Sequence, residues 1–299
     1  FDENLKMNCE RYWDAADYIN NPKPDSSKNI ETKIRKYLNE SIRYRSITDV
    51  PSAVFLSGGI DSSINAKLFS NFNEKVETYT IAYDEDYKSS KSEIPIAKKY
   101  AKELNAKFKK TIINEKDLID FLPRMILLQD EPISDPNCVP SFYISKLARE
   151  NGVIVSQVGE GADELFAGYE NWIKYLRVSK LLKFDLPLFI RKFIKNKLKS
   201  SLNNIGWSHE FLKRYLDKRP IFWGSSNSIN SNLKNKILSK RMKDKFINYD
   251  SWDSINHIRN RYIKRSNPKD HLKWMTYLEL NTRLPDLLLM RVDKMSMGS

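Results

Sequence analysis

The stretch "VFLSGGIDSS", residues 54–63, runs from an apolar segment into two glycines and restarts on Ile60-Asp61-Ser62-Ser63. It reads as a buried strand, a tight turn and the first turn of a helix. Unpaired N–H groups at a glycine turn and a helix start make an anion site, because the donors and the helix dipole both favour negative charge. Phosphate is the guest this pattern suits. Gly58 and Gly59 let the backbone approach closely, and Ser57 and Ser62 add hydroxyl donors. Asp61 is odd beside a phosphate and makes sense if Mg2+ lies between them. The string has neither the Gly-Lys-Ser/Thr ending of a Walker loop nor the GxGxxG spacing of a dinucleotide fold.

Outward from this turn, residues 50–165 alternate β-branched runs with helical stretches. Strands are expected at 53–56, 76–82, 107–113 and 153–158, and helices at 61–72, 92–104 and 139–150. That rhythm predicts an α/β fold, a parallel twisted sheet flanked by helices with right-handed crossovers. Ligands of such sheets sit beyond the carboxyl ends of the strands. The glycine turn lies at one such end, and "GEGADE", residues 159–164, at another. Residues 30–45 read as one amphipathic helix, and 170–295 as a largely helical region broken near Pro187, Gly206, Pro220 and Pro268. The division expected is a linker and helix over 1–49 and one domain over 50–299, mostly helical from 170 onward. No internal repeat or long low-complexity tract is present.

The chain has 299 residues, enough for a sizeable core, with 40% hydrophobic and 30% charged residues, the balance of a globular protein. No apolar run approaches the ~18 residues of a membrane span. The start, Phe1-Asp2-Glu3, lacks the layout of a secretory signal, and a chain that begins without Met is expected to be a piece of something longer. Cys9 and Cys138 form no CxxC pair and no disulfide framework, which fits a reducing, cytoplasmic setting. Net charge is +13, yet residues 171–270 hold 24 Lys/Arg against 7 Asp/Glu, so the excess is concentrated there. Trp172, Trp207, Trp223 and Trp252 are interleaved with that charge, a mixture that could bind nucleic acid. Amphipathic helices with lysine-rich solvated faces explain it without a ligand; in "FIRKFIKNKLKS", Phe189, Phe193 and Ile194 would face a core.

Together with the turn, "DEPISDP" at 130–136, "GEGADELFAGY" at 159–169, "RLPDLLLMRVDKMSM" at 283–297 and "RYWD" at 11–14 narrow the reading. "SGGIDSS" alone resembles the pyrophosphate loop of the ATP pyrophosphatase (PP-loop) superfamily. In this order, the strings resemble the synthetase domain of the glutamine-hydrolysing asparagine synthetase family and its amidotransferase relatives. The resemblance runs over nearly the whole chain and is loose over about 172–270.

The resemblance implies a ligase that joins a carboxylate to AMP, releases pyrophosphate, and lets ammonia displace AMP to give an amide. ATP and Mg2+ are the implied cofactors. Ser57, Gly58, Gly59 and Ser62 would grip the phosphates, with Mg2+ held by Asp61 and Asp163. Lys294 matches a family lysine that contacts the phosphates. Phe55, Leu56 and Ile81 would hold adenine, with Val158 and Gly159 passing close to the nucleotide; the plain alternative for the apolar ones is a place in the core. Glu160 occupies the position of a family glutamate that would accept a proton from incoming ammonia. Asp130, Glu131 and Asp135, stiffened by Pro132 and Pro136, would border the acceptor pocket with Glu164. For Asp163 and Glu164, an acidic first helical turn is the ordinary explanation. His209, His257 and His271 lack metal-ligand spacing.

Whole family members carry a glutaminase domain with an amino-terminal cysteine nucleophile. Cys9 lies just ahead of "RYWD", past where that domain ends in relatives, so it is not carried over as the nucleophile. A glutaminase domain or other ammonia source is therefore the implied partner, together with a small-molecule carboxylate. No membrane and no nucleic acid partner is expected, and a homodimer stays open. The end at Gly298-Ser299 precedes a family segment of the substrate pocket, so a trimmed carboxyl end is expected. Aspartate is the default acceptor. The alternatives are a sugar carboxylate in surface polysaccharide synthesis, or a tRNA-modifying ligase of the same superfamily.

Overall fold

The computed structural model describes residues 7, 9–19, 25–84, 93–182, 186–199, 206–266 and 270–299, with the side chains of 198 and 199 left aside. They fall into a sheet unit, Pro24–Ala162 with Leu284–Ser299, and a helical unit, Phe1–Lys23 with Asp163–Arg283. The helical unit opens with α1 (Ala16–Ile19). In the sheet unit follow α2 (Ser27–Arg45), β1 (Ser52–Phe55), α3 (Ile60–Ser70), β2 (Glu77–Tyr83), α4 (Ile94–Glu103), β3 (Lys107–Ile113), α5 (Glu115–Leu128), α6 (Cys138–Glu150) and β4 (Val155–Gln157).

All strand pairs are parallel and the order is β3-β2-β1-β4. β1 is central, with Val54 opposite Thr78 on one side and Gln157 on the other. Helices cover both faces, so "SAVF" buries its two middle residues, Ala53 and Val54, rather than alternating. One face packs Val54, Leu56, Ala66, Phe69, Ala97 and Ala101 together. Ala53, Tyr79, Ile144 and Ala148 form another cluster.

α5 has no counterpart among the expected helices. A capping box starts it, with Asn114 and Asp117 serving each other's backbone N–H groups. Pro123 lies inside it, where it removes one backbone donor, yet the helix continues to Leu128. Packing holds it: Phe121 stacks on Phe142 of α6 with ring centroids 4.2 Å apart. α2 packs on α3, and a side-chain cap from Ser26 to the Asn29 N–H begins it.

The helical unit continues through α7 (Ala162–Phe166), α8 (Glu170–Leu181), α9 (Leu188–Lys199), α10 (Trp207–Leu216), α11 (Ser231–Ile237), α12 (Lys240–Lys245), α13 (Asp253–Arg265) and α14 (His271–Asn281). A π-helical turn, Leu284–Leu289, then leads into α15 (Met290–Met297), both in the sheet unit. Ala16, Trp172, Phe222, Tyr262, Trp274 and Tyr277 belong to the helical core. "RYWD" belongs here: Asp14 is buried and accepts from Tyr277 at 3.1 Å and from the Ala16 N–H at 2.9 Å, with Arg261 at 3.1 Å.

The basic region is helical, as periodicity predicts, and Trp172, Trp223 and Trp252 are buried rather than displayed as a stacking surface. One expectation is overturned. Phe189 and Phe193 do not face a core but are 73% and 62% exposed. α9 turns its Arg191 inward instead, where it donates to the Leu216 carbonyl at the end of α10 at 2.6 Å. No helix among the described residues is long and apolar enough to cross a membrane.

Candidate functional site

In the order β3-β2-β1-β4 the chain builds outward from β1 in both directions, so the sheet's switch point lies between β1 and β4. Ligands of open parallel sheets sit at the carboxyl ends of the strands flanking that point. Two of the singled-out segments meet there: Ser57 to Ser62 after β1, and Val158 to Glu160 after β4. Gly159 shows how closely they meet. A Cβ there would lie 3.1 Å from the Ser62 nitrogen and 3.2 Å from the Asp61 carbonyl oxygen, so any side chain at this position would push the end of β4 and the first turn of α3 apart by a few tenths of an ångström.

The turn's own hydrogen bonds are distinctive. The Ser57 N–H donates to Ser62 Oγ at 3.1 Å, the Gly59 N–H to Ser57 Oγ at 3.1 Å, and the Gly58 N–H to Glu93 Oε2 at 3.3 Å. The two hydroxyls are 2.7 Å apart. Three successive amides are thus met by oxygens on rotatable side chains, and Gly59 caps α3 without any side-chain bond. Such acceptors can be exchanged for phosphate oxygens without unfolding a backbone ladder. Glu93, just ahead of α4, is a site residue that the local sequence does not announce, because its role depends on a contact across 35 positions. Asp61 stands in the first helical turn.

Leu56 belongs to the core: its side chain is buried, its N–H donates to Tyr79, and its carbonyl accepts from Thr80 Oγ1 at 2.6 Å. Phe55 and Ile81 pack partly buried against a neighbouring cluster. Ile81 is opposite Thr111 of β3, while β1 pairs with β2 only as far as Tyr79. Its β1-facing edge therefore has no strand partner among the described residues, which leaves backbone groups available to read a planar ring.

Arg291 of α15 gathers the acidic residues. Its Nη1 donates to Asp135 Oδ2 at 2.6 Å and its Nη2 to Glu160 Oε1 at 2.6 Å. Burial alone would raise the Asp135 carboxyl, but the Asn137 backbone N–H and Arg291 outweigh it and hold it below the usual range. The Glu160 side chain keeps 24% exposure, enough to meet a substrate. Lys294, one turn beyond Arg291, pairs with the exposed Asp130, and that hydrogen bond raises its ammonium pKa. Burial, and then the charge of the exposed Glu131, push the Asp286 carboxyl up. Within "RVDKMSM" only the lysine attracts notice from sequence; that Arg291 is buried between two carboxylates follows from packing alone.

Asp163 and Glu164 belong to the helical unit. Glu164, expected to border a substrate, is 1% exposed and accepts a hydrogen bond from Tyr169. Burial, and then that bond, raise the Tyr169 hydroxyl. A Cβ on Gly168 would run into the Asp163 carboxylate, so the "FAGY" glycine makes room for that side chain. Among the described residues, no group of three or more His, Cys, Asp or Glu is gathered to hold a metal.

The chain is 23% identical over 267 residues to glutamine-hydrolysing asparagine synthetase 1 of Bacillus subtilis, covering 89% of this chain and 40% of that protein. It is 30% identical over 175 residues to amidase chyE of Penicillium rubens, covering 53% of this chain and 26% of the relative. The chain thus spans about two fifths of the length of the first of these. Among solved structures, the NH3-dependent NAD synthetase of Campylobacter jejuni matches with 17% identity and a TM-score of 0.31, covering 65% of this chain and 95% of that one; at that score it carries no argument. The family model for asparagine synthase matches residues 33–299, nearly the whole of the sheet unit and most of the helical unit, and the chain belongs to the asparagine synthase family.

Proposed function

We propose that the chain is the ATP-using part of an amide-forming ligase. A substrate carboxylate oxygen attacks the α-phosphorus of ATP, the bond to the β-phosphate oxygen breaks, and pyrophosphate leaves. Ammonia then attacks the acyl carbon, the bond to AMP breaks, and the proton lost from nitrogen passes to Glu160. The observation that carries this reading is the turn after β1, where three successive amides are held by exchangeable side-chain oxygens beside the switch point.

On this reading, Ser57, Gly58, Gly59 and Ser62 hold the phosphates as charge grows on the leaving group. Mg2+ fits the residues present: it takes one or two protein carboxylates and completes its shell with phosphate oxygens and water, and Asp61 supplies a carboxylate in the first turn of α3. When bound, it would offset charge on the phosphates. Lys294 turns from Asp130 to the phosphates, Ile81 offers its open backbone edge to adenine, and Asp130, Glu131 and Asp135 border the acceptor. Aspartate is the default acceptor, and ammonia comes from glutamine through a glutaminase domain. The setting proposed is the cytoplasm.

Pyrophosphate exchange into ATP tests this. The full-length protein should support exchange with aspartate, and Asp61→Ala should abolish it with the fold retained. Exchange with a uronic acid but not aspartate would move the acceptor to a sugar carboxylate. Salt-sensitive tRNA binding, with no exchange on any small acid, would move the function to tRNA modification.

A further inference from the structure

Arg291 is 7% exposed, and both of its terminal nitrogens are spent on carboxylates from distant segments. One is Asp135, whose Oδ1 is itself fixed by the Asn137 N–H at 2.9 Å and side-chain amide at 3.0 Å. The other is Glu160, next to Gly159, whose backbone is pressed against α3. The third donor, Nε, is buried with no hydrogen-bond partner among the described residues. An orphaned buried donor is unfavourable. The guanidinium is therefore oriented by its two carboxylates, not by a general satisfaction of its donors. Buried ion pairs seldom repay their desolvation as stabilising contacts, so a role in placing a group is the better account of this one.

We propose that Arg291 is a positioning residue for amide formation, its guanidinium holding Glu160 in place and tying it to the Asp135 segment that borders the acceptor. This rests on the reading of Glu160 as the proton acceptor. A planar fork can serve two carboxylates at once, whereas a lysine at the same place offers one nitrogen. α15 thus contributes Arg291 to the proton-accepting step and Lys294 to the phosphates.

The test uses the full-length protein with ATP, Mg2+, ammonia and aspartate, measuring pyrophosphate exchange and amide formation separately. Arg291→Lys should leave the KM for ATP in exchange unchanged and lower kcat for amide formation by ~10²-fold, the scale of a misplaced reacting group. In a Glu160→Gln background the same substitution should add less than about a twofold further loss, because the two residues act as one unit. Should Arg291→Lys fail to fold, Asp135→Asn loosens only the second anchor and should show the same dependence on Glu160. Losses that multiply in the double variant, or exchange and amide formation falling together, would overturn the inference alone. An intact amide rate in Glu160→Gln would overturn the role given to Glu160, and this inference with it.

Discussion

Gly159→Ala probes the junction on which the site depends. The added methyl would stand 3.1 Å from the Asp61 carbonyl carbon and the Ser62 nitrogen, and 3.2 Å from the Asp61 oxygen. Comfortable contact begins near ~3.5 Å, so about 0.4 Å of movement is required. The obstructing atoms are backbone in the first turn of α3, and no side-chain rotation relieves them. The end of β4 and the start of α3 must separate, at a cost of about 1–3 kcal/mol by analogy with overpacked cores. For a unit of this size that corresponds to a fall in Tm of ~3–10 °C. The same displacement carries with it the turn proposed to hold the phosphates, and exchange should fall by about tenfold or more. Thermal unfolding and ATP–pyrophosphate exchange read the two effects. Gly59→Ala is the control for stability, since its Cβ would meet only the rotatable Ser57 Oγ, at 3.2 Å. A Gly159→Ala protein with the parent's Tm and exchange rate would refute the close junction between the end of β4 and the first turn of α3.

Asp135→Asn should destabilise the protein at neutral pH by about 1–2 kcal/mol, because the amide oxygen still accepts from Arg291 while the charge pairing is lost. Because the Asp135 carboxyl is held below its ordinary 3.8, its contribution is present above that pH and is lost as pH falls through the lowered value, so denaturation curves of variant and parent should converge in acid. Lys294→Met should leave thermal stability nearly unchanged, as its partner Asp130 is 72% exposed, yet remove exchange activity; a variant that keeps full exchange would exclude Lys294 from the phosphates. A thiol reagent on the native protein should modify the exposed Cys9 and spare Cys138, which is buried with its thiol pushed up by that burial, and mass spectrometry of the labelled peptides would show it.

The parallel sheet was legible from sequence because short apolar runs bounded by turn residues coincide with strands: 107–113 is the whole of Lys107–Ile113, and 53–56 differs from Ser52–Phe55 by one position. The glycine turn was legible for the same local reason. α5 was not, because Pro123 breaks the helical pattern and packing against α6, with Phe121 stacked on Phe142, sustains it. The inward turn of Arg191 defeated a periodicity that places Phe189 and Phe193 inside. Leu56 and Glu164 show the limit of motif reading: each lies in a family string, and each is occupied with packing. Glu93 and Arg291 were invisible because contacts spanning 35 and 131 positions make them site residues, and no short window holds both partners.

The sheet unit is interrupted between Ala162 and Leu284 and resumes with the segment Leu284–Ser299. Met295, fully enclosed beside Phe121, Cys138 and Phe142, and Arg291 both arrive with that segment. During synthesis at ~5–20 residues per second, the strands are made about 7–28 s before α15, which covers them, is complete. A ribosome-bound intermediate would expose the apolar bed of α15 throughout that interval, and would have neither the arginine nor the lysine assigned to chemistry. On the proposed function, a nascent chain has no complete site before α15 is made.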